Sequence, residues 1–355
     1  MSGLADGRGP GDPEARRFLE GFRARHASGV VRAALAALRP LKVLVIGEAI
    51  IDEYSYCVPL GKASKDPIIS TRHVRLERHA GGALACANHV AGFCGEVGLV
   101  TGLGAADPQE AFIRGRLKPN VGPRFFVREG APTITKRRYV SEPALLKLFE
   151  VAVMDDTPLP AALEDQMLAH LEAALPAYDL VIAIDYGHGF LGPRTVDLLA
   201  ARARYLAVNT QANPGNLGFH VITRYPRADY VCIDEHEARL ATRDRWSPVA
   251  ALAGTLRARV KCSAMSVTQA QQGVLVSSAD GTAWEVPALT RDVVDRMGAG
   301  DAYLAVSSPC AAAGLPLDVV AVLGSAAGAL AVQIVGNRSA VEPAAVERLV
   351  AELLA

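Results

Sequence analysis

The sequence has no surplus of either charge: 37 Lys and Arg stand against 37 Asp and Glu. That balance lacks the positive field that binding to nucleic acid or an anionic membrane surface requires, although a local basic patch stays open. Cysteine is sparse and unpatterned. The six residues, at 57, 86, 94, 232, 262 and 310, form no Cys-x-x-Cys pair and no Cys/His cluster at zinc spacing. Several lie in apolar runs, as reduced buried thiols do, which favours a reducing cytoplasmic compartment. No signal-peptide pattern is visible. One charge-free stretch, Val319 to Gly336, raises the membrane question and contains Gly324-x-x-x-Gly328. It is built from Ala, Gly and Val with Ser325 and Gln333, so it reads as a packed core helix followed by a strand, not a membrane span.

What is present is a large apolar fraction. Of the 355 residues, 50% are hydrophobic and 21% charged, enough for a substantial core in one large domain with an appendage, or in two domains. Residues 1–13 are rich in Gly, Pro and Asp and read as disordered. Glu14 to about Leu38 repeats apolar residues at helical spacing and predicts a packing helix. Leu41 to Gly47 is a continuous apolar run and predicts a buried parallel strand. Similar strands are predicted at 96–103, 180–185, 205–209, 230–234 and 264–268, alternating with helical stretches, and a hairpin turns around Asp280-Gly281. This alternation predicts a doubly wound α/β sheet with helices on both faces. Two period-two segments, about 54–78 and 122–151, predict a small separate sheet over it.

Polar residues recur where the strands end: Glu48, Asp52, Asp185, Asn209, Asp234, Glu237, Thr268 and Asp301. In an open α/β sheet those ends form one crevice, where ligands bind. Glu48 and Asp52 are therefore either ligand-binding groups or solvated loop carboxylates. Gly81-Gly82 opens an Ala-rich helix in which Asn88 and His89 either bond a ligand or occupy a polar face. In Lys136-Arg137-Arg138 adjacent side chains point to opposite faces, so one or two reach a phosphate or all are solvated edge charges. Gly102-Leu-Gly104-Ala-Ala-Asp107 follows a strand but lacks the third Gly of a dinucleotide fingerprint. The stretch Asp295-Arg296-Met297-Gly298-Ala299-Gly300-Asp301 joins a turn of small residues to a helix start. Outward amides and the helix dipole there suit an anion, and Asp301 would stand beside it to accept a proton from a hydroxyl. An ordinary loop with an N-cap aspartate is the plainer reading of the same residues.

Three motifs together resemble the PfkB, or ribokinase-like, carbohydrate kinases over roughly residues 41–355: Gly81-Gly82, Asp234-x-x-Glu237, and Asp295 through Asp301. Residues 1–40 then form an N-terminal extension. Within the family the chain is similar to kinases of D-glycero-manno-heptose 7-phosphate. Pro132-Thr-Ile-Thr-Lys136-Arg137-Arg138 with Leu145-Leu-Lys-Leu-Phe-Glu150 resembles their lid hairpin, and Asp185-Tyr-Gly-His-Gly189 resembles their Ser-Asp-Tyr-Gly-Lys-Gly. The resemblance implies Asp301 as catalytic base and Gly298, Ala299 and Gly300 as anion hole. It implies Asp52, Gly81 and Gly82 as acceptor holders, with Asn88, His89, Lys136, Arg138 and Asp185 on the same side. Thr268, Gly273 and Ser325 would lie near ATP, with Asn209, Asp234 and Arg296. Glu237 would hold Mg²⁺ through water, and Asp295 with the Gly336–Val341 segment would surround a monovalent cation, K⁺. The implied partners are a sugar or sugar-phosphate substrate and a second copy paired through the lid.

The departures bear on substrate. Arg296 replaces the usual Thr, Asp234 the usual Asn, and His188 the Lys of heptose kinases. The acceptor helix reads Ala85-Cys86-Ala87-Asn88-His89, without an Asn that the family carries. Phosphoryl transfer is expected to survive, with the acceptor changed. A non-catalytic binding protein on the same fold is the rival expectation, and a nucleoside-like acceptor a further one.

Overall fold

The computed structural model describes residues 13–142 and 144–355. Of the start expected to be disordered, 1–13, residues 1–12 lie outside the described residues and Pro13 opens the first helix. The chain runs α1 (Pro13–Arg25), α2 (Val30–Leu38), β1 (Lys42–Gly47), β2 (Ala49–Lys62), β3 (Ile69–Gly82), α3 (Ala83–Phe93), β4 (Glu96–Gly104) and α4 (Glu110–Arg114). It continues through β5 (Val121–Arg128), β6 (Thr135–Ser141), β7 (Leu146–Val153), α5 (Ala161–Ala174), β8 (Leu180–Asp185), α6 (Pro193–Arg202), β9 (Leu206–Thr210), β10 (Tyr230–Asp234) and α7 (Glu235–Thr242). It ends with α8 (Val249–Val260), β11 (Ala264–Thr268), β12 (Val274–Ser278), β13 (Ala283–Val286), α9 (Ala299–Ala312), α10 (Leu317–Ala331) and α11 (Pro343–Leu354).

Nine strands form one sheet in the order β13-β12-β11-β10-β9-β8-β1-β4-β5. All pairs from β11 to β5 are parallel, and β12 and β13 are antiparallel additions at one edge. The apolar run of β1 is buried on both sides because helices cover both faces. Val43 and Val45 join a core with α2, α3, α9, α10 and α11. Leu44 and Ile46 join the opposite core with α5, α6, α7 and α8. The helix predicted over 14–38 is two helices, broken at Gly29, whose φ is 94°. Phe22, Leu35 and Leu38 enter the main core, so the described part of the N-terminal extension is integral to the domain. No strand follows α10; residues 332–342 are irregular and turn at Gly336, φ 55°.

The second sheet, β3-β2-β6-β7, is a lid rooted at the crevice. One expected lid segment is not in it. Residues 122–128 belong to β5, which runs parallel to β4 as the edge of the main sheet. An edge strand alternates covered and open side chains just as a hairpin strand does, so period two alone could not separate the two cases. Within β6 the alternation works as expected: Lys136 and Arg138 are buried, while Arg137 faces outward onto Glu53.

Candidate active site

The site is assembled at the start of α9. Gly298 adopts φ 79° and caps the helix, and an added Cβ there would overlap the Asn337 side chain. The first-turn amides of Ala299, Gly300 and Asp301 have no intrahelical acceptor and carry the positive end of the helix dipole. Asp301 lies in that turn and accepts the Tyr186 hydroxyl at 2.9 Å. Burial pushes its carboxyl up to about 6, against the pull of the Tyr186 hydrogen bond and of Lys136, while Asp52 adds to the push. A carboxyl poised there is ionised at neutral pH yet basic enough to take a hydroxyl proton.

Across the crevice, Asp52 on β2 is bonded by the Arg138 guanidinium and by Asn337 Nδ2 at 3.1 Å. Arg138 also pairs with Glu150 at 2.8 Å. A Cβ on Gly81 would overlap the Asp52 carboxylate. Gly82 sits at φ 58°, ψ −134°, which no other residue adopts readily, so the glycine pair is required for this close approach. Lys136 is buried, with its ammonium 5.8 Å from the centre of the Tyr186 ring. Beside this corner lies a cavity of about 120 Å³, lined by Asn337, Arg338, Arg116 and Lys118.

Three residues expected on the acceptor side spend polar atoms on partners within the protein, and two of them, Asn88 and His89, also line the cavity. Asp185 is buried and takes bonds from the Arg224 guanidinium, the Tyr225 hydroxyl at 2.8 Å and the Gly187 amide at 3.3 Å; it shapes the 185–189 loop. Asn88 spends its side chain on Arg116 O and Lys118 N, both at 2.9 Å, and so holds the turn that carries these two cations at the cavity. His89 is buried and accepts the Val341 amide at 3.0 Å through Nδ1, tying down the 336–341 segment. Glu48 accepts the amides of Tyr186 at 3.1 Å and His188 at 3.0 Å, so it aims Tyr186 at Asp301. Burial holds the His188 ring down to about 4, hence uncharged at neutral pH.

Of the residues expected near the nucleotide and its metal, Asp234 and Glu237 form a capping box at the start of α7. The two Glu237 oxygens accept Ala212 N at 3.1 Å and Asp234 N at 2.8 Å. Burial, reinforced by Asp234, pushes Glu237 up to about 8. With both oxygens bonded to backbone, Glu237 suits a cation held through water better than a direct ligand. Among the described residues no three His, Cys, Asp or Glu side chains converge as a metal cage. Asn209 donates to Cys232 O at 2.8 Å and locks β9 to β10. Thr268 ends β11 opposite Val274, and Gly273 turns at φ 98° between the two strands. Ser325 lies one turn before Gly328, where α10 packs against Ala299 O at the start of α9. The Arg296 side chain is exposed.

Asp295, the expected monovalent-cation ligand, already has a cation. The Lys147 ammonium, from lid strand β7, bonds Oδ1 alongside the Met297 amide at 3.1 Å. Oδ2 accepts the Tyr54 hydroxyl at 2.9 Å and the Gly336 amide at 3.0 Å. Burial pushes Asp295 up, but these donors outweigh it and hold the carboxyl below its ordinary value.

Sequence reasoning did not assign Tyr186, Tyr54, Lys147 or the Arg116/Lys118 pair to the site, and it included Asn337 only within the Gly336–Val341 segment expected around a monovalent cation. Only Lys147 carried a local signal, a lone cation in the apolar strand Leu145-Leu146-Lys147-Leu148-Phe149. Tyr186, Asn337 and Tyr54 depend on contacts between segments more than 100 residues apart, and Arg116 and Lys118 are placed by Asn88 from another element.

The chain is similar to several known proteins. The pattern of the pfkB family carbohydrate kinases matches residues 40–344. The chain is 30% identical over 315 residues to the bifunctional protein HldE of Rhodopseudomonas palustris, covering 86% of this chain and 63% of that protein. It is 30% identical over 329 residues to the protein of the same name from Acidiphilium cryptum, covering 88% and 64%. The chain thus spans under two thirds of the length of these relatives. In fold it is similar to phosphofructokinase-2 from Escherichia coli, with a TM-score of 0.70 at 13% identity over 88% of this chain and 99% of that one. Ribokinase from Arabidopsis thaliana, solved with ribose and ATP, gives 0.67 at 15% identity over 88% and 99%. The chain belongs to the pfkB family of carbohydrate kinases.

Proposed function

We propose that the chain transfers the terminal phosphoryl group of ATP to a hydroxyl of a sugar or sugar phosphate, with Asp301 as base. The observation that carries this is the pairing of a carboxyl poised at about 6 with the open amides of the α9 start, one turn of helix apart at most. Such transfer needs in-line positioning and neutralised charge more than covalent help from the protein. Asp301 takes the hydroxyl proton, and the Gly298–Gly300 amides receive charge on the transferred group. Glu237 would hold Mg²⁺ through water, and that ion would supply charge neutralisation on the phosphates. Asp52, fixed by Arg138 and Asn337, orients the acceptor.

A phosphorylated, heptose-phosphate-like acceptor is supported by the cations around this corner. His188 is uncharged and cannot replace the Lys of heptose kinases; Arg116 at the cavity and the buried Lys136 stand in for it, while Lys118 and Arg338 also line the cavity but are paired with Glu342 and Glu77. Pairing of two copies through the lid is supported by exposed Leu60, Ile69, Leu76, Leu146 and Phe149, an apolar surface that a lone chain would leave wet. A reducing cytoplasmic setting is supported by six buried, unlinked cysteines.

The test is ATP consumption with Mg²⁺ against heptoses, heptose phosphates, hexoses, pentoses and nucleosides, with Asp301→Asn alongside. Turnover on one acceptor should fall about 10²–10⁴-fold in the variant while nucleotide binding persists. Silence across the panel, with ATP binding seen by calorimetry, would favour the non-catalytic reading.

A further inference from the structure

We propose that the Lys147 ammonium is a built-in cation for the loop that carries the anion hole, so that this protein needs no potassium at Asp295. The inference rests on the reading of Gly298–Gly300 as that anion hole. A carboxylate offers about four acceptor positions. All four on Asp295 are taken, two on each oxygen: Lys147 Nζ and Met297 N on one, Tyr54 OH and Gly336 N on the other. The Asp295 side chain is 6% exposed, against 35% for Lys147, so the carboxylate is shut off from the medium while the lysine stem reaches it from the lid. The ammonium also lies 5.6 Å from the centre of the Tyr54 ring, whose face favours a cation. A free monovalent ion could reach this carboxylate only by displacing the lysine.

The consequence is mechanical as well as ionic. Asp295 holds the Met297 amide, directly before the Gly298 turn, and the Gly336 amide, directly before Asn337. Asn337 in turn bonds Asp52. The lid, the phosphate-binding turn and the acceptor carboxylate therefore share one hydrogen-bonded frame whose charge is balanced by a tethered ammonium. A soluble cation would balance the charge without joining the lid to the turn.

The experiment compares the full chain with Lys147→Met, which keeps the stem and removes the charge, and Lys147→Gln, which keeps a donor if the first variant folds poorly. Thermal unfolding is followed in potassium chloride and in choline chloride at equal ionic strength. The wild type should melt at the same temperature in both salts. The variants should lose about 3–6 °C in choline chloride and regain half or more of it in potassium chloride. Crystals soaked in rubidium chloride should show anomalous density beside Asp295 in the variants and none there in the wild type. Specific stabilisation of the wild type by potassium, or rubidium at Asp295 with Lys147 swung away, would overturn the proposal. So would variants that lose no stability or ignore the cation. None of these readouts needs turnover, so a failure here is separable from a failure of the kinase reading. Where an acceptor is found, potassium should leave wild-type kcat unchanged and raise that of the variants several-fold.

Discussion

Removing the Tyr186 hydroxyl tests whether Asp301 is the base without destroying the base itself. In Tyr186→Phe the ring stays and the 2.9 Å hydrogen bond to Asp301 goes. That bond favours the ionised carboxylate, so its loss raises the proton affinity. A hydrogen bond to a charged group contributes about 1.5–3 kcal/mol, and about 1.4 kcal/mol is one pH unit. Taking the low end, the carboxyl moves from about 6 to roughly 7. At pH 6 the ionised fraction then falls from about one half to about one tenth, roughly a five-fold loss of kcat/KM. At pH 8.5 both forms are almost fully ionised and the rates should converge. The assay is the pH profile of kcat/KM for the acceptor in both proteins. Ionisation of the nucleotide is common to the two, so the displacement between their acid limbs belongs to the enzyme. Carboxyl ¹³C NMR gives the same titration without turnover. A uniform loss at every pH would mean that Tyr186 only positions the loop. An acid limb that moves to lower pH would refute the assignment of Asp301.

Three further outcomes are expected. Asp301→Asn should be more stable than the wild type at pH 8 and not at pH 4. An unfolded aspartate ionises near 3.9, so the folded state binds the extra proton as pH falls below about 6 and loses stability as pH rises through that window, by up to about 3 kcal/mol. Melting curves at the two pH values check this, and an unchanged difference would show that the carboxyl is not destabilised by burial. Gly81→Ala forces the Asp52 carboxylate aside, a clash of about 1–3 kcal/mol; acceptor KM should rise with ATP affinity kept, and an unaltered KM would remove Asp52 from the acceptor site. Arg116→Ala should raise KM for a phosphorylated acceptor about ten-fold or more and leave its unphosphorylated counterpart nearly unaffected; equal effects on both would deny the cavity an anion-binding role.

Strand-end carboxylates mark the crevice from sequence alone, yet they do not rank themselves. Asp52, Asp185, Asp295 and Asp301 all stood out as polar residues at the mouth of an apolar sheet or in the small-residue turn. What separates them is how far their acceptor capacity is already used. Asp185 is engaged by Arg224, Tyr225 and Gly187 with the His220 ring 2.6 Å away, and Asp295 by four donors, so both are parts of the frame. Asp301 has the Tyr186 hydroxyl as its one hydrogen-bonded partner among the described residues, and burial leaves it poised to titrate. The donors that make this distinction arrive from distant segments, Tyr54 and Lys147 from the lid and Arg224 from beyond β9, and periodicity reports only on neighbours along the chain. The same limit explains β5. Its alternation was legible, but the partner it alternates against is decided by the parallel register from Val97 opposite Val121 to Gly104 opposite Arg128. Fold class followed from the rhythm of apolar runs because both sheet faces must be covered by the helices between the strands. The surroundings of Asp295 did not follow from its motif, because the lysine that bonds it stands on a lid strand 148 residues away along the chain.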